Sequence, residues 1–423
     1  MSVRLSKNDR PTDWSPTGWV GIALVFIGAI LTSYTGVQLG SCWTMLQQRW
    51  PEYRDHTRKP YQEIARRALG VYFMHFTSAC LDFTLFGDTI AYLVVAAENI
   101  SNVLKDWFDW NISFCLIMLV LGLGLWPVTF LGTPKDFWFL VAAAMGATTT
   151  AAVLLIVGMA IDVSQPGHYN STAPTGNTFG TPIDQITFKP FFLAFGSIVF
   201  AYGGHSAFPV IQHDMKMPSK FRAAVIYAYL IIVIMYAPVS IFGFLAYGQN
   251  TDTGNVINNI GPEWCRTTIF LLITAHVLLV FILYANPVMQ ELEELFKIPH
   301  TFGWKRVLLR TSYMAAIVFM AETVPRFGLL LSLIGSSTIT CVTFIFPPLF
   351  FISLKYQGES NVWTTEASVA GKRRFPPIPM WEFVYNVVII GIGLVGAVAG
   401  TYSAIDALTS GGKSFTPPCY LDI

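Results

Sequence analysis

Long apolar runs alternate with short polar ones along the chain. Ten of the apolar runs reach the about 20 residues that an α-helix needs to cross a hydrocarbon layer some 30 Å thick. They cover residues 18–40, 71–97, 112–131, 137–161, 190–213, 223–247, 265–289, 307–324, 327–353 and 382–408. A membrane-spanning barrel would instead show short segments of alternating character, which the chain lacks. The pattern predicts an all-α, polytopic membrane protein with about ten transmembrane helices. A short polar segment (1–16) precedes the spanning domain (17–408), and a tail (409–423) follows it. The polar start has no short apolar core ending in a small-residue cleavage site, so it does not read as a removable signal peptide.

Composition agrees with lipid as the main solvent: 53% of residues are hydrophobic and only 12% charged, against about a quarter charged in an ordinary soluble domain. A net charge of +1 leaves no basic surface for nucleic acid. The basic residues set the orientation, because Lys and Arg collect in cytoplasmic loops. The loop 41–70 carries Arg49, Arg54, Arg58, Lys59, Arg66 and Arg67. Placing it inside puts the loops around Lys216–Arg222, Lys297–Arg310 and Lys355–Arg374 inside as well, with roughly 18 of the 26 basic residues. The sequons at Asn99, Asn111 and Asn170 then fall outside, and Asn170, in the Ser/Thr/Pro/Gly-rich loop 162–189, is the expected glycosylation site. One consequence runs against the bias: the start, with Arg4, Lys7 and Arg10, also falls outside.

Six cysteines, at 42, 80, 115, 265, 341 and 419, form no CxxC pair and no cluster with histidine, so neither a metal nor a cofactor is expected. Cys265 and Cys419 share the outer side, which would permit a bridge; two unrelated thiols is the favoured reading.

The fifth stretch contains Tyr202-Gly-Gly-His-Ser-Ala-Phe-Pro209, a Gly203–Gly204 pair and a proline in an otherwise apolar span. Unwound backbone survives in a membrane only when buried in protein or lining a wet cavity. Broken helices of this kind can hold a zwitterion or a coupling cation at the midplane. Small residues also serve plain helix packing, and both readings stand at this point. Ionisable groups inside spans are functional candidates by default. His75 and Asp82 lie seven residues apart on the second stretch, one face where a proton could pass; Asp88, His205 and His276 are further candidates. The plain alternative for each is a hydrogen-bonded tie between helices. The ninth stretch holds Ile334-Gly-Ser-Ser-Thr338, small hydroxyl residues whose expected role is close helix approach. No Walker loop, HExxH or GxSxG is present, which disfavours nucleotide hydrolysis as the energy source.

Several runs together resemble the amino acid/auxin permease family: Thr17-Gly-Trp-Val-Gly-Ile-Ala-Leu, Tyr34-Thr-Gly-Val-Gln-Leu-Gly-Ser-Cys-Trp43, Arg58-Lys-Pro-Tyr-Gln-Glu-Ile, Tyr202-Gly-Gly-His-Ser-Ala-Phe-Pro-Val-Ile-Gln212 and Ala321-Glu-Thr-Val-Pro-Arg-Phe-Gly328. The likeness is nearest to the vesicular inhibitory and proton-coupled amino-acid transporters. It implies a fold of eleven helices, two inverted five-helix repeats around a midplane site, with the first and sixth helices broken. The fifth stretch looks like that sixth helix, so Tyr202, Gly203, Gly204, His205 and Ser206 are the expected substrate-binding residues. The seventh stretch, with Thr274 and His276, resembles the family's eighth helix, which serves the coupling-ion region. With His75 and Asp82, these two complete the expected ion or proton path. The first stretch resembles the second family helix, so the family's first helix has no counterpart in the sequence.

These readings lead to an expected secondary transporter of small neutral amino acids, driven by a proton or sodium gradient and residing at the cell surface or in an endolysosomal or vesicular membrane. Its partners would be the amino acid, the ion and lipid. A non-transporting nutrient receptor or inactive isoform on the same fold is the alternative. A multi-spanning transferase is a third and weaker reading, because the polar groups are dispersed along the spans rather than gathered at one face.

Overall fold

The computed structural model describes residues 18–55, 57–130, 138–164, 187–247, 255–299, 303–324, 327–366, 378–409 and Cys419. Asn170, His56 and His300 lie outside the described residues. Among the described residues all regular structure is helical: α1 (Gly18–Arg49), α2 (Pro60–Leu69), α3 (Val71–Phe108), α4 (Phe114–Leu125), α5 (Trp138–Ser164), α6 (Phe188–Ala201), α7 (Phe208–Asp214), α8 (Phe221–Tyr247), α9 (Glu263–Leu295), α10 (Trp304–Thr323), α11 (Phe327–Ile334), α12 (Phe346–Glu366) and α13 (Met380–Thr409). Among the described residues eight helical segments are long and apolar enough to cross a membrane, and a ninth, Phe114–Phe130, is apolar but shorter. With the 20-residue, more polar α10, they correspond to the ten expected stretches. In lipid the helix is the natural solution, because it satisfies its own backbone groups within one segment.

The most extensive helix contacts are those of α9 with α3 and α5, while α3 and the α11–α12 span are the most buried. Lateral packing relies on close approach. Gly335 faces Gly196 so tightly that a Cβ added at 335 would lie 1.9 Å from the Gly196 carbonyl oxygen. Ser336 fits against Gly196 and Gly400 in the same way, and Ser332 hydrogen-bonds Ser197 at 2.9 Å. The hydroxyl cluster of the ninth stretch therefore serves helix contact, as expected. The backbone there was not anticipated: Gly335–Ile339 and Cys341–Ile345 are π-helical turns joining α11 to α12.

Side-chain links sort the helix ends into two sets, the same two that the basic residues imply. At one end Arg58 pairs with Glu294, Lys59 lies 3.2 Å from Glu291 and 3.0 Å from Glu294, and Arg49 donates to the Leu354 carbonyl at 2.6 Å. Burial works against the Lys59 ammonium, yet hydrogen bonds and charge from Glu294 and Glu291 outweigh it and raise its pKa above the ordinary lysine value. Near this end the fully buried Arg310 meets Glu293 at 2.7 Å and also donates to the Thr129 carbonyl, while Arg306 reaches the same carboxylate at 2.9 Å. Buried charges persist only when paired in this manner. At the opposite end Arg266 binds Asp106 at 3.0 Å, and Lys189 binds Asp406 at 2.6 Å. A disulfide there joins Cys115 to Cys419.

That disulfide corrects the cysteine expectation. Cys419 is bridged, and its partner is Cys115, at the start of α4, with a Cα–Cα distance of 5.5 Å. Cys265 is enclosed against α5, its thiol donating to the Leu154 carbonyl at 3.3 Å, and so is out of reach of the tail.

Two outcomes follow. Gly335→Ala is expected to cost about 1–3 kcal/mol by overpacking, read as a lower melting temperature in detergent. Gly391→Ala, where an added Cβ meets nothing within 4 Å, should leave that temperature unchanged. Thiol labelling of denatured, unreduced protein should modify Cys265 but neither Cys115 nor Cys419, and prior reduction should add two labelled sites; labelling of Cys419 without reduction would contradict the pairing.

Candidate functional site

α6 ends at Ala201 and α7 begins at Phe208, with a single tight turn, Gly204–Ser206, between them. Gly203 sits against Ile339, whose side chain would lie 2.9 Å from an added Cβ and would have to move to admit one. Pro209, in the first turn of α7, offers no N–H and cannot extend the helix backwards. The interrupted backbone frees carbonyls that need donors. Tyr236 Oη donates to the Ala201 oxygen and Tyr229 Oη to the Tyr202 oxygen, both at 3.4 Å, the long end of hydrogen bonding. The Tyr202 oxygen also accepts from Gly204 N–H at 2.9 Å.

α1 forms the other wall. Gly28 leaves room for the Tyr202 ring and Gly36 for the Phe208 ring. Thr32 lies between them at four-residue spacing, hence on the same face. Its carbonyl oxygen is 3.1 Å from His205 Nε2, and Thr35 Oγ1 is 3.0 Å from the same nitrogen. A carbonyl can only accept, so Nε2 carries the proton. In the neutral ring Nδ1 is then a lone pair. His205 is wholly buried, its ring centroid lies 4.9 Å from that of Phe208, and Nδ1 has no hydrogen-bond partner. A buried acceptor without a donor is costly to leave unmet. It is the most unusual polar atom at the break.

Beside the break lies a cavity of about 330 Å³ between α1, α5, α6, α8 and α9, a volume in the range of small-ligand sites. Its walls are mainly apolar, with hydroxyls from Thr148, Ser197, Tyr202, Tyr236 and Ser240. Thr148 in turn lies 2.7 Å from His276 Nδ1, which is 3.0 Å from the Ala144 carbonyl. By the same argument His276 Nδ1 is the donor, and a neutral ring turns its Nε2 lone pair elsewhere.

The structure gathers Tyr202, Gly203, Gly204, His205 and the half-buried Ser206 at the break. It brings His276 to the cavity edge through Thr148. Thr274 is buried in α9 with its hydroxyl unpartnered, but it does not line the cavity. Asp82 is half-buried near Glu291 and Lys59 at the basic end. His75 stands exposed on α3. Asp88 is buried one turn from Tyr92, whose ring packs edge-on against Tyr284 at 5.4 Å, and one Asp88 oxygen lacks a partner. Among the described residues no group of three or more His, Cys, Asp or Glu could hold a metal ion. Sequence reasoning missed Thr32, Thr35, Tyr229 and Tyr236. The usable signals were the Gly28–Thr32–Gly36 spacing and two tyrosines seven apart on one face of an apolar helix.

The family described as transmembrane amino acid transporter protein matches residues 11–405. Amino acid transporter AVT1C of Arabidopsis thaliana is 25% identical over 401 residues, covering 92% of this chain and 65% of that protein. Amino acid transporter AVT1E of the same plant is 28% identical over 404 residues, covering 92% and 68%. The chain thus spans about two thirds of the length of these relatives. The crystal structure of MhsT in complex with L-phenylalanine has the same overall fold, with a TM-score of 0.53 at 14% identity over 92% of this chain and 94% of that one. The family and these relatives are transporters, not enzymes. A match that reaches every described helix places this multi-pass membrane protein in the transmembrane amino acid transporter family.

Proposed function

We propose that the chain carries small neutral amino acids across its membrane as a secondary transporter, by alternating access at the α6–α7 break, driven by a proton or sodium gradient. The observation that carries the reading is the interrupted helix itself: opened backbone, a buried and unpaired His205 Nδ1, and a 330 Å³ cavity alongside. Of the turn residues Tyr202 alone lines that cavity, so an ammonium group would supply the donor that Nδ1 lacks only once the turn opens toward it. Among the described residues no Asp, Glu, Lys or Arg lines the cavity, which suits an uncharged side chain. The names of the plant relatives, all amino acid transporters, point the same way. So does the amino acid held in the MhsT structure. His276 and its Thr148 contact stand where a transferred proton could be held at the cavity edge, and Thr274 and Asp88 supply further buried oxygens for an ion path.

Reconstituted in liposomes, the protein should accumulate labelled neutral amino acids only when a gradient is imposed. Collapsing the proton and sodium gradients in turn should identify the driving ion. Binding without flux would replace the carrier by an amino-acid receptor on the same fold. His205→Gln keeps an N–H where Nε2 donates to Thr32 but removes the Nδ1 acceptor. It should fold with near-normal thermal stability and lose about tenfold or more of the uptake rate, in line with about 1.4 kcal/mol or more for one charged hydrogen bond. Full uptake by this variant would remove Nδ1 from the substrate site.

A further inference from the structure

A second cavity, of about 440 Å³, opens at the basic end of the bundle between the C-terminal half of α1, α7, the start of α8 and α12. Its polar lining is Ser41, Thr44, Gln212, Ser219, Arg222 and Lys355. No carboxylate lines it, and among the described residues neither Arg222 nor Lys355 is within ion-pair distance of one. Elsewhere at this end Arg58 and Lys59 are paired with Glu294 and Glu291. The first residues of α8, a 27-residue helix, form part of the same wall. The positive end of that helix adds to the two side-chain charges. Lys355 Nζ lies 5.4 Å above the Phe351 ring, which keeps its stem along the apolar flank.

Gln212 adds chemical detail. It is buried, and its Nε2 donates to the Gly40 carbonyl and to Thr44 Oγ1, both at 3.1 Å. Because the Gly40 carbonyl can only accept, the amide cannot be turned over. Its Oε1 is left without a donor. An anion alone would not satisfy that oxygen; a ligand with hydroxyl donors beside its phosphate would. The remaining lining, Val37, Met45, Phe221 and Phe351, is apolar, and the cavity lies at the cytoplasmic end implied by the basic loops, where an acyl chain can follow a headgroup in from the leaflet. Basic pockets between transmembrane helices on that side suit acidic lipid headgroups.

From this arrangement we infer that the cavity binds the headgroup of a phosphorylated inositol lipid of the cytoplasmic leaflet. Phosphate meets Arg222, Lys355 and the α8 N-terminus; ring hydroxyls reach Gln212 Oε1, Ser41, Thr44 and Ser219; the chains lie along Val37 and Phe351. The site is separate from the α6–α7 break, and its occupancy does not depend on the transport reading.

The test uses the full chain in neutral phosphatidylcholine nanodiscs, titrated with fluorescent dioctanoyl phosphatidylinositol monophosphate. Saturable binding of one lipid per chain is expected. The double variant Arg222→Gln/Lys355→Gln should weaken it about tenfold or more. Lys305→Gln, which removes a basic residue elsewhere at the same end, should not change it. Equal binding by the double variant would overturn the site, and so would an equal loss in the Lys305 variant, which would mean general surface charge. Soluble inositol phosphate should compete weakly. Competition at the same affinity as the lipid would mean that the site takes free phosphate and would overturn the lipid assignment.

Discussion

Inside a bilayer there is no water to receive an unpaired N–H or C=O, and this one constraint organises the molecule. Nearly every span meets it by being a helix. The α6–α7 junction does not, and much of the surrounding architecture can be read as what is needed to keep that opening stable. Tyr229 and Tyr236 on α8 reach the freed carbonyls; Gly28 and Gly36 on α1 admit the rings that flank the turn; Thr32 and Thr35 hold His205. The break is expensive in isolation and persists because two neighbouring helices, α1 and α8, supply it with partners.

The same constraint explains why packing elsewhere is so close. Lipid tails are as apolar as the side chains they would replace, so helices gain little from burying leucine against leucine and must approach until backbones touch. The contact of Gly335 with Gly196, with Ser336 seated against Gly400, achieves this next to the π-helical turns that join α11 to α12. Since α6 is the helix pressed against this seam, the rigid packing on one side and the opened turn at its end belong to one element. In the alternating-access cycle proposed above, such a helix would couple the two.

Charge is arranged by end rather than by site. Ion pairs tie the first loop to the end of α9, Glu293 neutralises two arginines near the same face, and a disulfide and two further pairs close the opposite face. Within the spans His205 and Asp88 are buried and His276 is partly buried, and among the described residues none of the three is ion-paired. An uncompensated pocket such as that around Arg222 and Lys355 stands out against this background.

The run lengths of apolar residues settled the all-helical membrane architecture from sequence alone, and the basic loops settled which helix ends lie together, because both follow from local composition and the bilayer's thickness. The Gly203–Gly204 pair and Pro209 likewise announced the break, since backbone permissiveness is a property of the residue itself. What completes the site was not legible: His205 meets Thr35 across 170 positions, and Cys419 meets Cys115 across 304. The Gly28–Thr32–Gly36 and Tyr229–Tyr236 spacings mark shared helix faces, but nothing in them says which ring or carbonyl those faces meet. Partners so far apart in the chain are chosen by how helices pack, and only the tertiary structure holds that information.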